Sequence, residues 1–198
     1  MVYSINSMKL YFAVSSRLVD SDPKLYSKMY SFLASQGKMV SDKVMEWIKK
    51  GVKDISGAPL HVKRDNYIQS IDSVKKADIV VMEVSGHSMS MGYLISKALE
   101  MNKPVIALHD KKHIPCFIKG IDDPKLIISE YDSENMEEVM KEALKKADSL
   151  VDIRFNFFIN PKILNYLDWV AQKRMQPRSV FLRNLIEHEM KKDREFKG

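Results

Sequence analysis

Hydrophobic positions along the chain follow two periods, one near 3.6 and one near 2, and their succession outlines the fold. Lys9 to Val14 (KLYFAV) is a short apolar and aromatic run that predicts a strand, closed by the polar turn Ser15-Ser16-Arg17. Asp22-Pro23 supplies a helix start, and Leu25, Met29, Phe32 and Leu33 recur at helical spacing until Gly37. Lys38 to Val40 predicts a second, short strand. Residues 42–58 leave their state open, because a helical stripe of Val44, Trp47, Ile48 and Val52 is broken by Gly51 and then by Ser56-Gly57-Ala58-Pro59. His61 to Lys76 predicts an amphipathic helix with Tyr67, Ile68, Ile71 and Val74 facing inward. The strand signal is clearest at Ile79 to Val84 (IVVMEV), which is nearly continuous in its hydrophobicity, as expected of a parallel strand covered on both faces. A helix over 92–101, a strand over Pro104 to Leu108, a fifth strand over Leu126 to Ser129 and a helix over 133–148 follow. The last is expected to be capped at Ser133, with Glu137 in its first turn.

Strands alternating with helices at this rhythm imply a doubly wound α/β domain over residues 1–148, with a five-stranded parallel sheet wrapped by helices on both sides. Ligands of such sheets bind beyond the carboxyl ends of the strands. That rule selects Ala13 to Arg17, Ser85 to Met91 and His109 to His113 as the functional rim before any motif is considered.

From Val151 the period changes. Ile153, Phe155, Phe157 and Ile159 alternate with Arg154, Asn156, Phe158 and Asn160, the signature of a half-buried strand. Pro161 starts a helix carrying Ile163, Leu164, Leu167, Trp169 and Val170, and a second helix over about 179–192 carries Val180, Leu182, Leu185, Ile186 and Met190. Residues 149–198 therefore predict a strand-helix-helix module. A lone strand cannot satisfy its own backbone, and in so short a module the expected source of a partner strand is a second copy of the chain.

Charge sharpens this division. The net charge is +6; residues 1–150 carry 22 Lys and Arg against 20 Asp and Glu, and residues 151–198 carry 10 against 6. The short C-terminal segment holds most of the excess, which fits either a polyanion partner or an ordinary solvated basic surface. Cys116 is the single cysteine, which excludes an internal disulfide. The first residues, MVYSINSMKLYFAV, show no basic leader and no small-residue cleavage pattern, and no apolar run approaches the ~20 residues that span a bilayer. A cytoplasmic protein with no membrane association is the expectation.

No Walker lysine loop and no GxGxxG follows any strand. Instead LYFAVSSR at the first strand, AD-IVVMEV at the third, SGHSMSMGY opening a helix with SKALE, and KPVIAL at the fourth occur in this order. The combination, over roughly residues 8–148, resembles the nucleoside 2-deoxyribosyltransferase family, especially its branch of 2'-deoxynucleoside 5'-phosphate N-hydrolases. The resemblance implies a flavodoxin-like sheet, a homodimer, and cleavage of the bond between a deoxyribose and its base. Such cleavage needs a carboxylate beneath an anomeric carbon of oxocarbenium character. The family's nucleophilic glutamate falls here on Leu94, and its second carboxylate on Ser70. Asp72 lies two helical positions away, turned by roughly 200°. Glu83 lies inside the strand where relatives also carry an acid, so it does not replace the nucleophile.

Other matched positions persist. The resemblance assigns nucleotide contacts to Tyr11, Ser15, Arg17 and Ser88, and the loop and helix start from Ser85 to Gly92 would add backbone amides around a phosphate. Each has a plainer reading: Tyr11 as packing, the serines as loop residues, Arg17 as a surface charge. His109 and His113 have helical metal spacing but no third ligand, so neither a metal nor a cofactor is expected. The C-terminal run RFNFFINPKILNYLDWVAQKRMQPRSVFLRNLIEHEMKK resembles the ribbon-helix-helix family of DNA-binding dimers. That resemblance would aim Arg154, Asn156 and Phe158 at bases and set Arg178 against phosphate. Phe158 is a poor base reader and Pro177-Arg178 replaces a Gly-containing turn, which leaves a purely dimerising module as the alternative. The sequence thus suggests a nucleotide-binding, catalytically silent deoxyribosyltransferase-like domain joined to a dimerising module that engages double-stranded DNA. An active N-glycosidase is the alternative.

Overall fold

The computed structural model describes residues 8–51, 57–152 and 157–195. The chain divides into two compact units, Met1–Asp152 and Ile153–Gly198. The first is built on a five-stranded, all-parallel sheet of β1 (Lys9–Ala13), β2 (Lys38–Met39), β3 (Ile79–Glu83), β4 (Val105–Asp110) and β5 (Leu126–Tyr131), in the order β2-β1-β3-β4-β5. This is the flavodoxin-like order, whose reversal lies between β1 and β3.

Alternation along the strands divides the core into two layers. Leu10, Phe12, Ile79, Val81, Ile106 and Leu108 pack with Met29 and Leu33 of α2 (Pro23–Gln36) and with Met136 and Met140 of α7 (Met136–Asp148). Tyr11, Ala13, Val80, Met82, Val105 and Ala107 face the other way, onto Val74 of α4 (Leu60–Lys76) and Leu94 and Ile95 of α5 (Met89–Glu100). Each large side chain fully withdrawn from water contributes about 1.5–3 kcal/mol, so both faces must be covered.

Local chemistry sets the element ends, and several differ from expectation. The polar turn expected at 15–17 is instead the start of a short helix, α1 (Ser16–Ser21), because the Ser15 hydroxyl accepts from the Leu18 amide. Asp22 caps α2 through the Leu25 amide at 3.0 Å, with Pro23 in its first turn, as expected. The open stretch resolves into α3 (Lys43–Lys50), which Gly51 terminates in a left-handed conformation at φ 58°. α5 begins three residues before the expected Gly92, because Ser88 caps it. α7 begins at Met136 and not at Ser133: Asp132 Oδ1 accepts from the amides of Glu134 and Asn135, which holds that stretch in a turn. Strands β4 and β5 each run two residues beyond the expected ends, so His109 lies in a strand rather than a loop.

On α4 the buried face is Ser70, Ser73 and Val74, while Tyr67 and Ile68, expected inside, are about half exposed. Tyr67 lies toward α5, where its hydroxyl meets that of Tyr93 at 3.2 Å. A connection, α6 (Cys116–Lys119), follows β4.

The second unit pairs α8 (Pro161–Arg174) with α9 (Arg178–Lys192) over a small core of Leu167, Val170 and Phe181. Met175 takes the left-handed conformation that closes α8. Of the strand expected over 153–160, residues 153–156 lie outside the described residues; Phe157–Asn160 belong to no described sheet, and Asn160 has an extended backbone, φ −80° and ψ 162°. Asn160 caps α8 through the Ile163 amide at 2.9 Å. Ile163, Leu164, Trp169, Leu185, Ile186 and Met190, expected on packed faces, are exposed.

Candidate functional site

Because β1, β3 and β4 are parallel, their carboxyl ends open onto one rim, and a cleft of about 990 Å³ lies there. Its walls are Arg17 of α1, residues 84–93 from the end of β3 into the first turn of α5, and residues 113–118 leading into α6. None of these lining residues is an aspartate or glutamate. One wall is polar, with Arg17, Ser88 and the exposed backbone at Gly92; the other is mostly apolar, with Ile114, Pro115, Phe117 and Ile118.

Hydrogen bonds tie the three loops of the rim together. Arg17 donates to the His87 carbonyl at 3.1 Å, which joins α1 to the loop after β3. Ser85 donates its hydroxyl to Glu83 and accepts from the Asp110 amide at 2.8 Å, which joins that loop to the one after β4. The Asp110 carboxylate accepts from the amides of Lys112 and His113 and from His113 Nδ1, at 2.8, 2.9 and 2.8 Å. Burial pushes the Asp110 acid up, but the imidazole and the two amides outweigh burial and hold it below the usual carboxylate range.

Of the residues expected to touch a nucleotide, four line the cleft: Arg17, Ser85, Ser88 and Gly92. The Ser85 hydroxyl is committed to Glu83 and the Asp110 amide, so its role is to shape the loop. Ser88 accepts from the Met91 amide as the cap of α5 and keeps its own proton free for a ligand. Ser15 caps α1 and does not line the cleft. Tyr11 does not line it either: its ring is buried against α4 and α5, its hydroxyl meets Ser70, and burial, partly offset by that bond, raises its pKa.

The two positions that the resemblance matches to carboxylates are buried. Leu94 is 5% exposed within the apolar layer, and Ser70 is 9% exposed with its hydroxyl donating to the Asn66 carbonyl at 2.8 Å. Asp72 is exposed on α4. Glu83 is fully buried on the opposite sheet face, where Tyr131 donates to its Oε1 at 3.0 Å and its Oε2 has no partner among the described residues. Burial raises the Glu83 pKa against the pull of those hydrogen bonds, and the pKa values of Tyr26 and Tyr131 rise beside it.

The apolar wall lies beyond the expected rim, whereas Asp110 and His113 fall within its His109 to His113 stretch; their pairing is what the structure adds. An Asp three residues before a His at a strand end was their signal in the sequence. His109 is buried in β4 with Nδ1 against the Asp110 carbonyl at 2.8 Å, so the two histidines do not share a ligand site. No group of three or more metal-ligating side chains occurs among the described residues. Of the residues expected to meet DNA, Arg154 and Asn156 lie outside the described residues, Phe158 is fully exposed, and Arg178 forms an ion pair with Asp168. Among the described residues, no helix is long and apolar enough to cross a membrane.

No family model matches the chain. Over 142 residues the chain is 27% identical to the 5-hydroxymethyl-dUMP N-hydrolase of Tetraodon nigroviridis, covering 68% of this chain and 96% of that protein. It is 27% identical over 137 residues to the Mus musculus protein of the same name, covering 66% of this chain and 76% of that one. Among solved structures, the CMP N-glycosidase BcmB of Clostridium botulinum superposes with a TM-score of 0.46 at 15% identity, over 69% of this chain and 98% of that chain.

Proposed function

We propose that the first unit binds a nucleoside 5'-monophosphate in the rim cleft and leaves its glycosidic bond intact. The observation that carries the reading is the cleft's lining: a guanidinium, a capping hydroxyl and the amides of a helix start, with no acid among them. The names of the relatives support the ligand class, since they act on deoxynucleoside monophosphates. The buried Leu94 and Ser70 support the absence of cleavage, because a hydrocarbon and a back-bonded hydroxyl cannot offset an oxocarbenium charge. The reading is tested by incubating the protein with a panel of ribo- and deoxyribonucleoside monophosphates, titrating binding calorimetrically and following free base by chromatography. Binding without base release is expected. Release of base at enzymatic rates refutes the silent reading.

A second reading has one observation in its favour. Burial raises the pKa of the Glu83 carboxyl at the end of β3, the direction that suits a general acid, and the relatives are N-hydrolases. Base release abolished by Glu83→Gln would establish it. Against it stands the placement of Glu83 beneath the sheet surface that faces away from Tyr11 and Leu94.

For the second unit we propose pairing with a second copy, supported by its three-residue core and by the exposed apolar side chains of α8 and α9. Contact with DNA rests on the unit's basic excess alone. A fluorescence-anisotropy titration with mixed duplexes decides that point, and binding that is absent at low salt ends it.

A further inference from the structure

The wall opposite Arg17 begins with a side-chain pair that none of the readings above employs. His113 Nδ1 lies 2.8 and 2.9 Å from the two oxygens of Asp110. One of them, Oδ1, also accepts from the backbone amides of Lys112 and His113, so the carboxylate is a fixed mount and the imidazole plane is set by it. With the Nδ1 proton directed at Asp110, Nε2 is the ring nitrogen left for a ligand, and the ring lines the cleft. One hydrogen bond ties this pair to the polar side of the cleft: Asp110 donates its amide to Ser85, and Ser85 begins the loop whose Ser88 caps α5. The negative charge of Asp110 is already answered by three donors, so it does not oppose an anion in the cleft.

We infer that the Asp110–His113 pair is a phosphate-recognition element, in which His113 takes up a proton as the ligand binds and donates from Nε2 to the phosphate that Arg17 and the start of α5 meet from the other wall. The chemical class selected is a phosphate monoester dianion. An imidazolium fixed by a carboxylate adds a charge-assisted bond to a dianion and adds nothing for an uncharged nucleoside. The inference rests on the cleft being the nucleotide site proposed above. Asp110 faces His113 directly; the other charged or titratable groups lining the cleft are Arg17 from α1, His87 from the loop after β3, Tyr93 from α5 and Cys116 from α6, with Lys111 and Lys112 adjacent in the chain. Lys111 is drawn aside by Asp132 at 2.7 Å, and His87 is the one other imidazole, so it serves as the control.

The test is isothermal titration of the full chain near pH 7.5 in buffers of different ionisation enthalpy, with 2'-deoxyuridine 5'-monophosphate, deoxyuridine and inorganic phosphate as probes. The wild type is expected to take up close to one proton with the monophosphate. His113→Gln and His113→Ala, each confirmed folded by its thermal melt, are expected to lose that uptake and to weaken monophosphate binding by roughly tenfold or more, with deoxyuridine unaffected. His87→Gln should retain the uptake. Wild-type affinity and proton uptake in both His113 variants overturn the inference. Should inorganic phosphate bind with uptake that depends on His113 while neither nucleoside nor nucleotide binds, the inference stands and the nucleotide reading falls. Failure of all three probes sinks both.

Discussion

Glu83 is the side chain whose replacement tests the construction of the rim most directly. It is wholly buried, and its Oε1 accepts from the Ser85 amide at 3.3 Å, the Ser85 hydroxyl and the Tyr131 hydroxyl at 3.0 Å. Glu83→Ala removes all three acceptor contacts at once. Leaving a buried donor unpaired costs about 1–3 kcal/mol, and because Ser85 and Tyr131 relax only in part, a loss of about 3–5 kcal/mol is expected by urea denaturation. Glu83→Gln keeps the Oε1 acceptor and should cost less than about 1.5 kcal/mol. The two variants also separate in their pH dependence. The folded-state pKa of Glu83 is raised above its unfolded value, so between those two values the folded protein holds the proton and the unfolded chain has released it. Stability from this group therefore falls as pH rises through that window, by up to about 1.4 kcal/mol per pH unit, and is indifferent to pH below the ordinary carboxylate range. Unfolding curves collected at rising pH from the ordinary carboxylate range upward should show this decline in the wild type, and a flatter one in Glu83→Gln. Identical slopes in the two proteins would refute a raised pKa for the buried Glu83 carboxyl.

Other expectations follow from single contacts. A Cβ at Gly37 would come 2.7 Å from the Met8 carbonyl oxygen and 3.1 Å from Leu10, so Gly37→Ala should lower stability by about 1–3 kcal/mol, read as a fall in the melting temperature. Leu94→Glu should cost about 2–4 kcal/mol at neutral pH and less in acid, where the new carboxyl is uncharged; an unchanged urea midpoint would mean that the position opens to the cleft and not to the core. Asp22→Ala removes the 3.0 Å cap on the Leu25 amide and should cost about 1 kcal/mol, measured by the same denaturation.

The sheet was legible because its strands are continuous in hydrophobicity and its helices punctuated by caps: Ile79 to Glu83 and Asp22-Pro23 could hardly be read otherwise. Apolar character alone does not orient α4. Tyr67 lies toward α5 and Ile68 is half exposed, while the small Ser70 and Ser73, whose hydroxyls return to the helix's own carbonyls, are what lets α4 approach the sheet. The cleft's location followed from the parallel topology, and four of its expected residues line it. Its occupancy by cross-links did not, because a serine's sequence position says nothing of whether its hydroxyl is taken up by a neighbouring strand end. Ser85 and His113 acquire their roles only through Asp110, a residue from the adjacent strand.

The sheet's outermost strand on one side, β2, is just two residues long. Such a stub offers a stray polypeptide too few free amides to dock alongside, so lateral growth into larger aggregates finds no template there. Its brevity works as a built-in guard for a protein whose opposite border, β5, is three times as long.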